Sequence, residues 1–387
     1  MPAQISHAML PLATHDEGAR QKFVTAMREQ LTLKMLPDTR ALYEGIVKPK
    51  FAREHGRAPQ DRAEVRRAMG REPPHQLWSS ALRTTQEMLW DSVGETVARE
   101  LPSLVERAKA TLPRSGGSLR LDPTLEIPRY LLAQDNHVMP GNYFTDIRDD
   151  GDVYAGAMYD RGVFIFLKGD KGGLSDGFGV LVCRFITERF PEFSPKRILD
   201  LGCTVGNSTL PYVDQFPGAE VHAIDVGAPC LRYAHARAEA LGKRVHFSQQ
   251  NAESTDFPDG FFDLIVSHLV LHETSNKAVP RIMRECHRLL GHGGLTLHAE
   301  TPPYAGVDPF DQYLCDWDTH YNLEPFIGRL HELDQRRMMI DAGFKAADCV
   351  AETIPTYRPT ADVASETVRR SLDKYGSKRT IWGAFKR

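Results

Sequence analysis

The stretch Arg197-Ile198-Leu199-Asp200-Leu201-Gly202-Cys203-Thr204-Val205-Gly206-Asn207-Ser208-Thr209-Leu210 constrains this chain more than any other. An apolar-rich run ends at an acid, glycines follow at a spacing of four, and Asn-Ser-Thr starts a helix. The pattern predicts strand, tight turn, helix. Glycine permits positive φ and a close backbone approach to a ligand, and the helix N-terminus offers free N–H groups. These are the physical requirements of a nucleotide-type binding turn.

A strand–helix series follows. Val221-His222-Ala223-Ile224 closes on Asp225, which completes one βαβ unit. An acid at the end of a second strand suits a ribose, because one carboxylate accepts both hydroxyl protons. A helix is expected over about 229–241 and a third strand over 245–250, ending at Asn251-Ala252-Glu253. Phe261-Phe262-Asp263-Leu264-Ile265-Val266-Ser267 is nearly all apolar, as in a central parallel strand covered on both faces. His268-Leu269-Val270-Leu271-His272-Glu273-Thr274 lies just beyond it. A helix over 278–290, a fifth strand after Gly293-Gly294 and an aromatic insertion over 301–330 come next. Then come a helix over 331–342, a sixth strand over 349–354, a polar stretch over 358–377 and a terminal strand containing Trp382.

Over about 170–387 these motifs, five of them in register, resemble the class I S-adenosylmethionine (SAM)-dependent methyltransferases. The likeness is strongest to the small-molecule branch that includes the ubiquinone/menaquinone-biosynthesis type. It implies an α/β fold with a Rossmann-like seven-stranded methyltransferase sheet whose last strand is antiparallel, and SAM as cofactor. Carried over, Asp200, Gly202, Thr204 and Gly206, with Cys203, shape the methionine side of the site. Asp225, with Val226, holds the ribose. Asn251 and Ala252, with Glu253, flank the adenine, and Ser267 ends strand four. Thr204 replaces a family glycine. A β-branched residue is disfavoured at positive φ, so either φ is negative there or the loop differs. In that branch the His272 region faces substrate.

At 387 residues the chain exceeds what one core usually holds. Residues 1–170 are expected to form a mainly helical cap and dimerisation domain with an aromatic connecting region, and 171–387 the SAM-binding domain with the 301–330 substrate insertion. Residues 1–15 read as a loose arm, and 16–70 as polar helix broken at Pro37 and Pro59, with Asp38 and Asp61 at cap or first-turn positions. A stronger helix over 75–110 carries Leu77, Trp78, Ala81, Leu82, Met88, Leu89, Val93, Val97, Leu101, Leu104 and Val105 at mostly three- and four-residue steps, and Pro102 is expected to kink or divide it. Residues 111–168 show no clean helix or strand period. Asp135-Asn136-His137 has no further spaced ligand partners, so no metal site is expected.

A formal charge of -3 implies no general attraction to nucleic acid. The six cysteines are scattered, which suits reduced thiols in a cytoplasmic setting better than a disulfide framework. No apolar run approaches the roughly 18 residues of a membrane span, and the N-terminus lacks the pattern of a signal peptide.

Methyl transfer from a sulfonium is an in-line displacement for which the protein supplies position and exclusion of water. A base is needed only where the acceptor must lose a proton. His272, at the ligand edge of strand four, is the first candidate for a base or positioning group, His268 the second and His320, in the insertion, the third. Tyr143, Tyr154, Tyr159, Tyr304 and Tyr313 are candidates to line an apolar acceptor pocket or face the sulfonium. The leading expectation is a SAM-dependent methyltransferase acting on a small, partly hydrophobic acceptor, paired as a homodimer through its N-terminal helices. The alternatives are a methyltransferase acting on protein or RNA, and a non-catalytic SAM-fold binding protein.

Overall fold

The computed structural model describes residues 3–148, 151–355 and 378–387, so the polar stretch over 358–377 lies outside the described residues. The N-terminal arm is tied down, against expectation. Ile5 donates its N–H to Gly173 O at 2.8 Å, His7 pairs with Asp160, and Met9 and Leu10 are buried. Helix α1 (His15–Glu29) opens on a capping box in which Thr14 and Glu17 each satisfy the other's backbone. Helices α2 (Leu36–Leu42) and α3 (Lys48–His55) follow without a break, joined by π-helical turns over Gln30–Met35 and Tyr43–Val47. Pro37 therefore does not end the helix. It and Pro49 each sit just after a π turn, where the looser ladder accommodates the missing N–H. Asp61 caps α4 (Arg62–Met69) by accepting from Glu64 N.

Helix α5 (Pro73–Lys109) runs unbroken through Pro102, a length of about 55 Å. Its buried stripe is the one expected, except that Leu77 and Met88 face solvent. Residues 111–168 are more ordered than their pattern suggests. They hold β1 (Ser118–Arg120) and α6 (Tyr154–Phe166). Helix α6 is concealed by Gly156 and Gly162, which lower helix propensity. Both are needed for contact: an added Cβ would stand 2.3 Å from Tyr233 Cβ at Gly156 and 2.3 Å from Trp90 Cζ3 at Gly162.

The second half alternates as expected: α7 (Gly177–Arg189), β2 (Arg197–Leu201), α8 (Leu210–Gln215), β3 (Glu220–Asp225), α9 (Ala228–Ala240), β4 (His246–Gln249), β5 (Phe262–His268), α10 (Ala278–Leu289) and β6 (Leu290–Glu300). The insertion forms α11 (Pro309–Cys315), α12 (Trp317–Tyr321) and α13 (Ile327–Leu330), and α14 (Gln335–Asp341), β7 (Cys349–Pro355) and β8 (Lys378–Phe385) follow it. Among the described residues the sheet has eight strands, one more than expected, in the order β1-β4-β3-β2-β5-β6-β8-β7, because β1 adds a parallel edge to β4. Strand β8 is antiparallel to both neighbours, and the others run parallel. Alternate residues of β2 enter opposite cores, Ile198 among residues of α7 and α9 and Leu199 among residues of α10. A third core joins α5, α6 and α9, and a fourth joins α4, α5 and α11. The helical half and the insertion thus close over the carboxyl edge of the sheet.

Candidate active site

One cavity of about 1030 Å³ opens where β2, β3, β4 and β5 end, beneath the N-terminal helices and the insertion. Gly202, Thr204, Asp225, Val226, Asn251 and Ala252 all line it. Gly202 has φ +65°, and a Cβ there would strike the Val270 methyls at 2.7 Å, so the turn has room only for glycine. Thr204 does adopt positive φ, at 49°, a strained state for a β-branched residue. Its N–H donates to Asp225 Oδ2 at 2.9 Å, and Gly227 N–H donates to Oδ1 at 2.8 Å. Burial raises the Asp225 pKa, and these backbone N–H groups oppose the rise. Each oxygen keeps a lone pair for a diol. Asn207 Oδ1 and His268 Nδ1, also in this wall, are buried without hydrogen-bond partners. The Asn207 oxygen is an orphaned acceptor and suits a ligand that brings donors, so the turn fits SAM, which carries an amino group and a ribose diol.

Other expected cofactor residues support the turn from behind it. Asp200 accepts from the Thr209 hydroxyl at 2.6 Å, and burial pushes its pKa up to about 7. Cys203 N–H donates to Ile224 O, and Gly206, at φ +74°, closes the turn by donating to Cys203 O. Glu253 accepts from Tyr130 and Arg281, and Ser267 is fully buried against His298 Nδ1 at 2.8 Å. None of these five lines the cavity; the side chains of Asp200, Glu253 and Ser267 are spent on partners elsewhere in the protein.

The candidate histidines separate. His320 is exposed, outside the cavity and 3.6 Å from Asp316, so it is not placed for catalysis. His268 lines the cavity, contacts the Tyr212 hydroxyl at 3.1 Å, and is held neutral by burial, its pKa pushed down to about 3. His272 stands in a cluster. Its Nδ1 is 2.8 Å from Glu300 Oε2, and its Nε2 lies 3.7 Å from Glu273 Oε1 and 3.8 Å from Glu324 Oε2. Burial opposes the imidazolium, but Glu300, then Glu273 and Glu324, outweigh it and hold the pKa at about 9. As an imidazolium it has no lone pair with which to act as a base.

His137 completes the cluster, with Nε2 2.8 Å from Glu273 Oε1 and Nδ1 2.9 Å from Glu324 Oε1. Burial opposes its charge too, and the two glutamates raise its pKa well above the usual value. One ligand atom from each of His137, His272, Glu273 and Glu324 lies within 4.8 Å of the others. The Asp135-Asn136-His137 stretch thus has the partners that its own spacing did not show. They come from the segment after β5 and the loop before α13, far apart in sequence, and only His272-Glu273 carried a local signal.

Of the five candidate tyrosines, Tyr143, Tyr159 and Tyr304 line the cavity. Tyr143 and Tyr159 meet edge to face at 5.8 Å, and the Tyr143 hydroxyl reaches Glu273 Oε1 at 3.4 Å. Tyr154 and Tyr313 do not line it; Tyr313 instead bonds His75 in the core between α5 and α11.

Residues 198–294 match a family model described as "Methyltransferase domain". The chain carries a class I SAM-dependent methyltransferase domain. Within that class it is similar to the quinone-biosynthesis type. It is 36% identical over 112 residues to a demethylmenaquinone methyltransferase of Thermus thermophilus, covering 29% of this chain and 50% of that protein. It is 28% identical over 218 residues to the ubiquinone/menaquinone biosynthesis C-methyltransferase UbiE of Vibrio cholerae, covering 54% of this chain and 81% of that one. The chain thus spans half the length of the Thermus relative. A solved phosphoethanolamine N-methyltransferase 2 of Haemonchus contortus with SAM overlays at a TM-score of 0.38 and 16% identity, covering 53% of this chain and 52% of that one. Among the described residues no helix is long and apolar enough to cross a membrane.

Proposed function

We propose that the whole chain transfers the methyl group of SAM to a small, partly hydrophobic acceptor held between the sheet edge and the N-terminal helices. The observation that carries this reading is one shared cavity. The SAM turn, the Tyr143–Tyr159 pair and apolar side chains of the helical half (Leu33, Leu36, Leu82, Val163 and Phe166 among them) share its wall. SAM, when bound, supplies a methyl on a sulfonium that leaves as a neutral thioether. Asp225 holds the ribose, and the aromatic wall positions the acceptor and keeps water out. Positioning of this kind lowers a displacement barrier by about 7–11 kcal/mol. The quinone-biosynthesis relatives support a small-molecule acceptor over a macromolecule.

The test is calorimetric titration with SAM, followed by labelled SAM with fractionated metabolites. The expected result is one SAM site, lost on Asp225→Ala, and label appearing in a small molecule. Label retained on protein or RNA would overturn the small acceptor, and SAM bound without turnover by any fraction would favour a binding protein. Homodimer formation through the N-terminal helices remains part of the proposal. It is supported by exposed Phe23, Met27 and Leu77, and light scattering of the purified chain tests it.

A further inference from the structure

We propose that His137, His272, Glu273 and Glu324 bind a six-coordinate divalent transition-metal ion in the cavity wall, and that this ion receives two adjacent oxygens of the acceptor. The binding of the ion stands on the geometry of these side chains, and it displaces the proton that each imidazolium holds at its ligating nitrogen. Its service to an acceptor rests on the methyltransferase reading above.

The spacing is the first argument. Two ligands about 2.1 Å from one ion stand about 3.0–3.4 Å apart at octahedral or tetrahedral angles. The contacts here bracket that range: 2.8 Å from His137 to Glu273, and 3.7 and 3.8 Å from His272 to Glu273 and Glu324. The last two exceed a hydrogen bond, so the His272 Nε2 edge faces a gap between two carboxylates.

Three of the four ligands, His272, Glu273 and Glu324, have support behind them. Metal-binding histidines characteristically give their other nitrogen to a carboxylate, and ligating carboxylates are themselves hydrogen-bonded. His272 Nδ1 is held by fully buried Glu300, whose other oxygen accepts from Leu271 N at 2.7 Å. Asn136 Nδ2 donates to Glu273 Oε2, and Asn322 Nδ2 donates to Glu324 Oε1. Asn136 is almost fully buried, and its Oδ1 has no partner. His137 itself, and Leu323 next to Glu324, hold positive φ at 55° and 56°, so the loops are held against their own preference where they deliver these groups.

The donor set and two open positions narrow the choice of ion. Two imidazoles and two carboxylates suit iron(II), manganese(II) or cobalt(II), ions that accept mixed N and O ligands in six-coordinate sites. Four protein ligands leave two positions. All four ligand residues line the cavity, so the open positions admit a bidentate oxygen ligand of the enediol, catechol or α-keto-acid class.

The experiment uses the full chain, stripped by chelator and reloaded separately with each of the three ions. Metal analysis is expected to give about one ion per chain, and the cobalt(II) form to show visible bands that shift when catechol is added. The Glu273→Gln/Glu324→Gln double variant should bind metal tenfold or more weaker while keeping its melting temperature and its SAM affinity. Asp225→Ala should lose SAM and keep the metal, which separates failure of this site from failure of the methyltransferase reading. A wild-type chain that retains none of the three ions would show the cluster to be an ion-pair network and overturn the proposal. Equal metal content in the double variant would overturn the assignment of ligands, and cobalt bands indifferent to catechol would overturn the acceptor class.

Discussion

The Tyr233 hydroxyl donates to Asp160 Oδ2 at 2.8 Å, so a residue of α9 is fastened to one of α6 inside a fully buried site. His7 of the arm and Arg237 of α9 converge on the same oxygen at 3.1 and 3.2 Å. Three separate parts of the chain are locked by one carboxylate. Asp160→Asn would leave the Arg237 guanidinium buried and unbalanced, at a cost of about 3–5 kcal/mol. Chemical denaturation should show the loss. The same carboxylate sets a pH dependence. Burial alone would raise its pKa, but Arg237, His7 and Tyr233 hold it at about 2, below its ordinary 3.8. A lowered folded pKa stabilises the fold above the unfolded value, so this contribution is complete above about pH 4 and fades as pH falls toward 2. The acid limb of the stability curve should flatten over that window in Asp160→Asn.

Thr204 carries strain in the turn, and its N–H, not its side chain, serves Asp225. Thr204→Gly should relieve the strain and leave SAM affinity within about tenfold, about 1.4 kcal/mol. A greater loss by calorimetry would make the threonine hydroxyl, which lies against Tyr159, part of the binding surface.

Gly156 has no free space, because Tyr233 fills the position of its missing side chain. Gly156→Ala should push α6 off α9 and lower stability by about 1–3 kcal/mol, seen as a fall in melting temperature. A neutral outcome would mean that α6 shifts freely on the sheet domain.

His320 stands in solvent on α12. His320→Ala should leave the rate of methyl transfer within about twofold, as for surface substitutions generally. A hundredfold loss would place the insertion closer to the reacting atoms than this arrangement has it.

The sheet domain was legible because its signals are local. Asp200, Asp225 and Asn251 each end a short apolar strand, and a period of about 25 residues connects the first two. The turn was legible as a site, but not which of its residues face the ligand. Asp200 and Ser267 sit at motif positions yet spend their polar atoms inward, on Thr209 and His298. Helix α6 was illegible because its glycines serve contacts with Trp90 and Tyr233, residues far away in the chain. Strand β1 is three residues long and exists only through its pairing with β4. Glu324 could not be linked to His137 because nothing in the sequence states which loops meet. Prolines at 37 and 102 misled in the other direction, since a long helix with tertiary support absorbs a missing hydrogen bond.

The placement of β8 has a consequence in time. Among the described residues β7 pairs with β8 and with no other strand, although β7 comes first in the chain. A strand made earlier must therefore wait for one made later before it has an edge to join. Assembly at this side of the sheet runs against the order of synthesis, and a chain shortened before Lys378 would leave β7 with no neighbour to receive it.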